Sequence, residues 1–213
     1  MNDMNSDFSP TVNAYMSQAV KDRAARIRLA CFDVDGTLTD GRLIFDSQGH
    51  ELKAFHAHDG QGLVLLQRAG VTVAFVTARV SAVVERRARE LGVTQVHLGA
   101  KDKLATVRKL ADEMGIGLDQ VAFMGDDVPD LRAMREIGLS VAPADAHRWT
   151  LEAATWRTTL PAGRGAAREL CDLILESQGQ VETLLNGIVQ ADSNVDPTHV
   201  APFVVPESTG ASA

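Results

Sequence analysis

Cysteine is scarce in this chain: Cys31 and Cys171 are the only two among 213 residues, one in an apolar run and one in a helix-patterned stretch, "GAARELCDLILES". That excludes a disulfide framework and reads as two buried, reduced thiols in a cytoplasmic protein. Aromatic residues supply only 5% of the chain, so the core has to be aliphatic. Positive charge is not in surplus either. The formal net charge is −7, which excludes general affinity for nucleic acid or for an anionic membrane surface. No apolar run approaches the length of a transmembrane helix, and the polar, mixed-charge start of the chain lacks the apolar region of a secretory signal. No internal repeat is visible.

Hydrophobic residues, at 45%, suffice for one sizeable core. Short β-rich apolar runs ("RLACFDV", "VTVAFVT", "TQVHLG", "QVAFMGD", "LSVAP") alternate with helix-patterned stretches ("GQGLVLLQRAG", "SAVVERRARELG", "KDKLATVRKLADEMG", "VPDLRAMREIG", "GAARELCDLILES"). Gly70, Gly92, Gly115 and Gly138 stand where helix C-caps belong. This alternation predicts an α/β fold, a Rossmann-like parallel sheet with helices on both faces. Strands with no polar alternation agree, because such sheets bury both sides. One segment departs: "RLIFDSQGHELKAFHAHDG", residues 42–60, reads as a β-hairpin inserted after the first strand. The predicted domain covers 28–178. Before it, 1–27 form an extension, partly helical from the spacing of Val12, Tyr15, Met16 and Val20. After it, 179–213 read as a mostly disordered tail following a short helix at "VETLLNGIV".

In parallel α/β sheets functional loops leave the carboxyl ends of strands. Here those exits carry Asp33-Val34-Asp35-Gly36-Thr37, then Thr77-Ala78-Arg79, then Lys101-Asp102-Lys103, then Gly125-Asp126-Asp127-Val128-Pro129-Asp130. Carboxylates, a hydroxyl, lysines and glycines on one rim have the composition of a magnesium and phosphate site. Phosphoryl transfer needs an in-line nucleophile, neutralised phosphoryl oxygens and a proton for the leaving group. Asp33 fits the nucleophile, forming an aspartyl-phosphate, and Asp35 the general acid and base. Two carboxylates facing a phosphoryl dianion require a cation; Mg²⁺ suits Asp33, Asp126 and a backbone carbonyl. Thr77 fits a hydrogen-bond donor to phosphoryl oxygen, and Lys103 a second positive charge, with Lys101 the competing lysine.

These four elements, in this order, resemble the signature of the haloacid dehalogenase superfamily of phosphohydrolases. The resemblance implies Asp33 as nucleophile, Asp35 as acid/base and main-chain metal ligand, Asp126 as magnesium ligand, and Asp127 or Asp130 as a supporting acid. Members of that superfamily usually carry a large cap, for which this chain has no room, so a neighbouring subunit is expected to exclude water. More narrowly, "DVDGTLTDGRLIFDSQGHELKAFHAHDGQGL", "GDDVPDL", "SVAPADA" and "AGRGAARELCDLIL" resemble the 3-deoxy-D-manno-octulosonate 8-phosphate phosphatases of lipopolysaccharide sugar biosynthesis. That implies a phosphorylated acid sugar as substrate and a cytoplasmic homotetramer with sites at subunit interfaces. In it the hairpins meet at a central contact and a neighbour's segment matching Gly163, Arg164, Gly165 and Arg168 closes the site. Thr77-Ala78-Arg79, Ala162-Gly163 and His58 depart from the usual family residues without removing a catalytic group. Candidate substrate contacts are Lys53, His56, Arg79, Arg86 and Arg164; Arg86 reads equally well as surface charge in "ERRARE", while His50, His97 and His147 read as structural. The competing readings are the same chemistry on another sugar phosphate, such as a nine-carbon acid sugar phosphate, and a non-catalytic oligomerising module.

Overall fold

Continuous apolar runs make strands that need cover on both sides, and the chain supplies it. In a computed structural model that describes residues 17–193, six parallel strands lie in the order β5-β4-β1-β6-β7-β8. They are β1 (Leu29–Phe32), β4 (Thr72–Val76), β5 (Gln95–His97), β6 (Val121–Met124), β7 (Leu139–Ala142) and β8 (Trp156–Arg157). β1 is central: Phe32 pairs with Phe75 of β4 on one side and Met124 of β6 on the other. Every residue of β1, β6 and β7 is buried.

Side-chain alternation divides the core into two layers. Ala30, Phe32, Val73, Phe75, Ala122 and Met124 face α1 (Gln18–Ala24), α2 (Ala57–Arg68), α3 (Ala82–Glu90) and α7 (Ala166–Ser177). Leu29, Cys31, Ala74, Val76, Val121 and Phe123 face α4 (Lys103–Met114) and α5 (Leu131–Met134). Both cysteines are free and fully buried, as expected, and burial pushes both thiols above their ordinary range.

Three details were not anticipated. α6 (Arg148–Ala153) and the two-residue β8 extend the sheet by one strand beyond the five read from sequence. Two residues carry no periodicity, and β8 exists because β7 offers it a ladder, Val141 to Trp156 and Ala142 to Arg157. Gly138 is not a left-handed cap: an added Cβ would lie 2.1 Å from the Asp119 carbonyl oxygen, so close packing requires the glycine. The helix after Gly179 is α8, Val181–Ser193, longer than "VETLLNGIV", with Leu184 and Ile188 on the first core layer. Of the leading helix, α1 is observed; Val12, Tyr15, Met16 and the rest of 1–16 lie outside the described residues, as do 194–213.

The inserted hairpin forms within residues 42–60 but is shorter than expected, because Ala57–Gly60 already belong to α2. β2 (Ile44–Phe45) and β3 (Glu51–Leu52) are antiparallel. Their turn is fixed by Asp46, whose Oδ1 accepts from the amides of Gln48 and His50 at 2.8 and 2.9 Å.

Candidate active site

β1, β4 and β6 end level with one another, so the loops that follow share one edge of the sheet. The Asp33 amide donates to the Met124 carbonyl at 2.9 Å, continuing the ladder one residue past the strand and fixing the carboxylate at the rim. The loop then doubles back through Gly36, with Thr39 rather than Thr37 as its stitch. Thr39 Oγ1 donates to the Val34 carbonyl at 3.3 Å and accepts from the amides of Gly36 and Gly41 at 3.4 and 3.3 Å.

Lys103, the first residue of α4, is placed by Asp102, which caps that helix through the Ala105 amide at 3.1 Å. The side chain is 4% exposed and its ammonium spans two carboxylates, Asp33 Oδ1 at 2.7 Å and Asp130 Oδ1 at 2.5 Å. Asp130 Oδ2 in turn accepts from the amides of Asp126 and Asp127 at 3.1 and 3.3 Å. Ligand oxygens of Asp33, Asp126 and Asp130 all lie within 4.8 Å of one another. Three acids around one lysine leave excess negative charge in a buried place. Burial first, then Asp130, raises the Asp33 carboxyl to about 6 against the pull of Lys103. Burial, then Asp33 and Asp130, raises Asp126 to about 8. Among the described residues no hydrogen-bond donor reaches the Asp126 carboxylate. A hard divalent cation is the group this donor set fits.

Asp35 leaves the loop on the hairpin side. Lys53, just past β3, forms an ion pair with Asp35 Oδ1 and lies 3.2 Å from Glu51 Oε1; its side chain is 1% exposed. Arg79 donates to Glu51 Oε1 at 2.7 Å and holds its Nε 3.6 Å from Asp35 Oδ2. Thr77 is buried at the end of β4, its Oγ1 accepting from the Arg79 amide at 3.3 Å.

The structure thus brings together Asp33, Lys103, Asp126 and Asp130, and beside them Asp35, Lys53 and Arg79. Asp127, Arg86, His56 and Arg164 stand apart. Asp127 is exposed and caps a short 3-10 turn through the Val128 amide at 2.7 Å, so of the two possible supporting acids Asp130 is the one that enters the cluster. Arg86 is an exposed α3 residue paired with Glu90 at 3.2 Å, on the wall of an open cleft of about 480 Å³ that Glu51 and Lys53 also line. His56 caps no carbonyl or amide with its ring, which stacks edge-on against His58; its Nδ1 is 3.9 Å from Asp59. Arg164 is exposed on the loop whose Gly163 amide donates to the Thr37 carbonyl at 3.1 Å. Two residues passed over in the sequence are integral: Glu51, which a hairpin pattern marks only as surface charge, and Asp59. The latter is 2% exposed and accepts from the amides of Gly165 and Arg168, at 3.2 and 2.8 Å, capping α7 from another helix.

Residues 96–170 match the haloacid dehalogenase-like hydrolase family model. The 3-deoxy-D-manno-octulosonate 8-phosphate phosphatase of Yersinia pestis is 42% identical over 178 residues, covering 84% of this chain and 95% of that one. Its counterpart in Escherichia coli K12 is 41% identical over 160 residues, 75% of this chain and 85% of that one. The crystal structure of the Moraxella catarrhalis phosphatase of the same name, in complex with magnesium, phosphate and KDO, superposes with a TM-score of 0.79 at 39% identity, covering 81% of this chain and 99% of that one. The chain belongs to the 3-deoxy-D-manno-octulosonate 8-phosphate phosphatase family of haloacid dehalogenase-like hydrolases.

Proposed function

We propose that this protein hydrolyses 3-deoxy-D-manno-octulosonate 8-phosphate to the free acid sugar and phosphate, with Mg²⁺ as cofactor. The observation that carries the reading is the buried chain Asp33–Lys103–Asp130 beside Asp126, with Asp35 two residues from Asp33 on the same rim. The relatives named above supply the substrate.

In this reading Asp33 attacks phosphorus as the bond to the bridging oxygen breaks. Asp35 gives its proton to that oxygen, leaving an aspartyl-phosphate and the free sugar hydroxyl. Asp35, now a carboxylate, takes a proton from water as the water oxygen attacks phosphorus and the bond to Asp33 breaks. Lys103 and the Thr77 hydroxyl bind phosphoryl oxygens, and Asp130 holds Lys103 and the Asp126 amide in place. Asp33, Asp126 and the main-chain carbonyl of Asp35 would hold Mg²⁺, which supplies charge neutralisation at the phosphoryl oxygens. Lys53, Arg79 and, across a subunit boundary, Arg86 and Arg164 are the cations available to the sugar acid. The protein acts in the cytoplasm as a homotetramer, a reading supported by two unpaired buried thiols and by a hairpin that exposes Leu43, Ile44, Phe45 and Leu52.

The test is phosphate release from a panel of sugar phosphates, with and without Mg²⁺, using Asp33→Asn as control. Preference for the eight-carbon acid sugar phosphate, abolished by chelation and by the substitution, is the expected outcome. Equal release from a nine-carbon acid sugar phosphate or from hexose phosphates would overturn the substrate. No release from any ester by folded protein would favour the non-catalytic module.

A further inference from the structure

Asp35 has two carboxylate oxygens in unlike settings. Oδ1 is taken by Lys53, whereas Oδ2 is buried and accepts no hydrogen bond from the described residues. A buried carboxylate oxygen without a hydrogen bond is costly, and the Arg79 guanidinium, 3.6 Å away, pairs with it in charge without donating to it. On its other side Arg79 is engaged by Glu51. Its Oε1 takes the Arg79 Nη2 at 2.7 Å and shares Lys53 at 3.2 Å, while Oε2 accepts the Ser81 hydroxyl at 2.6 Å. Burial pushes the Glu51 carboxyl up, but the bonds from Ser81, Lys53 and Arg79 outweigh it and hold it below its ordinary range.

We infer that Glu51 is a positioning residue for the leaving-group proton: it anchors Arg79 on the hairpin side and so keeps Asp35 Oδ2 open to the bridging oxygen of the substrate. The inference rests on the role given to Asp35 above. Ser81, at the start of α3, matters because it fixes the Glu51 carboxylate from the side away from Asp35, so Glu51 cannot follow Arg79 inward. Without the Glu51 charge, Asp35 is the carboxylate that remains paired with Arg79 among the described residues, and a hydrogen bond donated by the guanidinium would occupy Oδ2.

The test uses leaving-group chemistry, which a merely structural role would not sense. An alkyl oxygen leaves with a proton; a p-nitrophenolate leaves without one. Glu51→Gln is therefore expected to lower kcat/KM on the acid-sugar phosphate by about a hundredfold, the low end of general-acid contributions, while lowering kcat/KM on p-nitrophenyl phosphate much less, since kcat/KM reports leaving-group departure and not the later water step that the two esters share. Adding Arg79→Gln to Glu51→Gln should recover kcat/KM on the sugar phosphate in part, at a higher KM, since the blocking group is then gone. Equal losses on both esters, no loss on either, or a double variant no faster than the single one would each overturn the inference. Should Glu51→Gln fail to fold, Glu51→Asp, whose shorter carboxylate cannot span Ser81 and Arg79 together, carries the same comparison. A wild-type enzyme that ignores the acid-sugar phosphate would sink the proposed substrate alone. The alkyl arm then passes to whichever sugar phosphate it does hydrolyse, and the same rate ratio decides Glu51. A wild-type protein that hydrolyses no ester would overturn both.

Discussion

Gly36 shows how little room the first loop has. Its φ is +87°, and an added Cβ would lie 2.1 Å from Asp126 Oδ2, so the backbone turns directly beneath a proposed metal ligand. Gly36→Ala is expected to displace the Asp126 carboxylate and cost about a hundredfold in kcat/KM, with weaker stabilisation by Mg²⁺. Steady-state kinetics at saturating Mg²⁺ would check this, and near wild-type activity would count against Asp126 as a ligand. Charge at the same spot gives a pH prediction. Metal-free, the folded protein keeps protons on Asp33 up to about 6 and on Asp126 up to about 8. Unfolded aspartates release theirs at roughly 4. The folded state therefore binds more protons across that window, and the stability of metal-free protein falls as pH rises through it. Mg²⁺ binds the ionised carboxylates, so its stabilisation should grow in the same direction. Thermal unfolding with and without Mg²⁺, at the two pH values just named, should show the larger gain at the higher one. A larger gain at the lower pH would mean that the ion sits elsewhere. Of these residues, Asp33, Asp35, Asp126 and Lys103 were legible because each follows an apolar run. Glu51 and Thr39 were not, because their roles depend on partners the chain brings close only after folding.

At the scale of elements, the helices were readable and their mutual capping was not. The N-cap position of α7 is Gly165, a residue with no side chain to accept from the first amides, and periodicity alone says nothing of what replaces it. Asp59 does, from 106 residues away along the chain. The bond joins α2 to α7, fixes where the Gly163–Gly165 loop meets the loop after Asp35, and so ties packing to the rim. Asp59→Ala is expected to destabilise the protein by about 1–2 kcal/mol, the upper part of the range for a lost N-cap. Asp59→Asn, which keeps one accepting oxygen, should cost less. Urea unfolding of the two variants checks the order, and amide exchange at Gly165 and Arg168 should accelerate in both. Unchanged exchange at those two amides would contradict the cap. β8 and α6 escaped the sequence for a related reason, since pieces this short are held by a neighbouring strand or loop and have no pattern of their own.

For the whole molecule, the spacing of the motifs leaves no room for a cap between them, and among the described residues a hairpin stands in that place. The hairpin has one foot in the site, through Glu51 and Lys53, and turns Leu43, Ile44, Phe45 and Leu52 outward, each more than two-fifths exposed. Apolar surface on so small an element is costly in water, and contact with other copies would remove the cost. Because Leu52 lies between Glu51 and Lys53 in the chain, whatever seats Leu52 also constrains the two residues that hold Asp35 and Arg79. Assembly and catalysis should therefore fail together. Phe45→Glu, a charge placed on the outward face with no contact to Asp35, is expected to reduce the proposed tetramer to smaller species in sedimentation velocity. It should also lower kcat/KM on the sugar phosphate more than on p-nitrophenyl phosphate, since only the larger ester needs walls beyond its phosphoryl group. A wild-type protein that sediments as a monomer at assay concentration and is fully active would mean that the rim is complete within one chain.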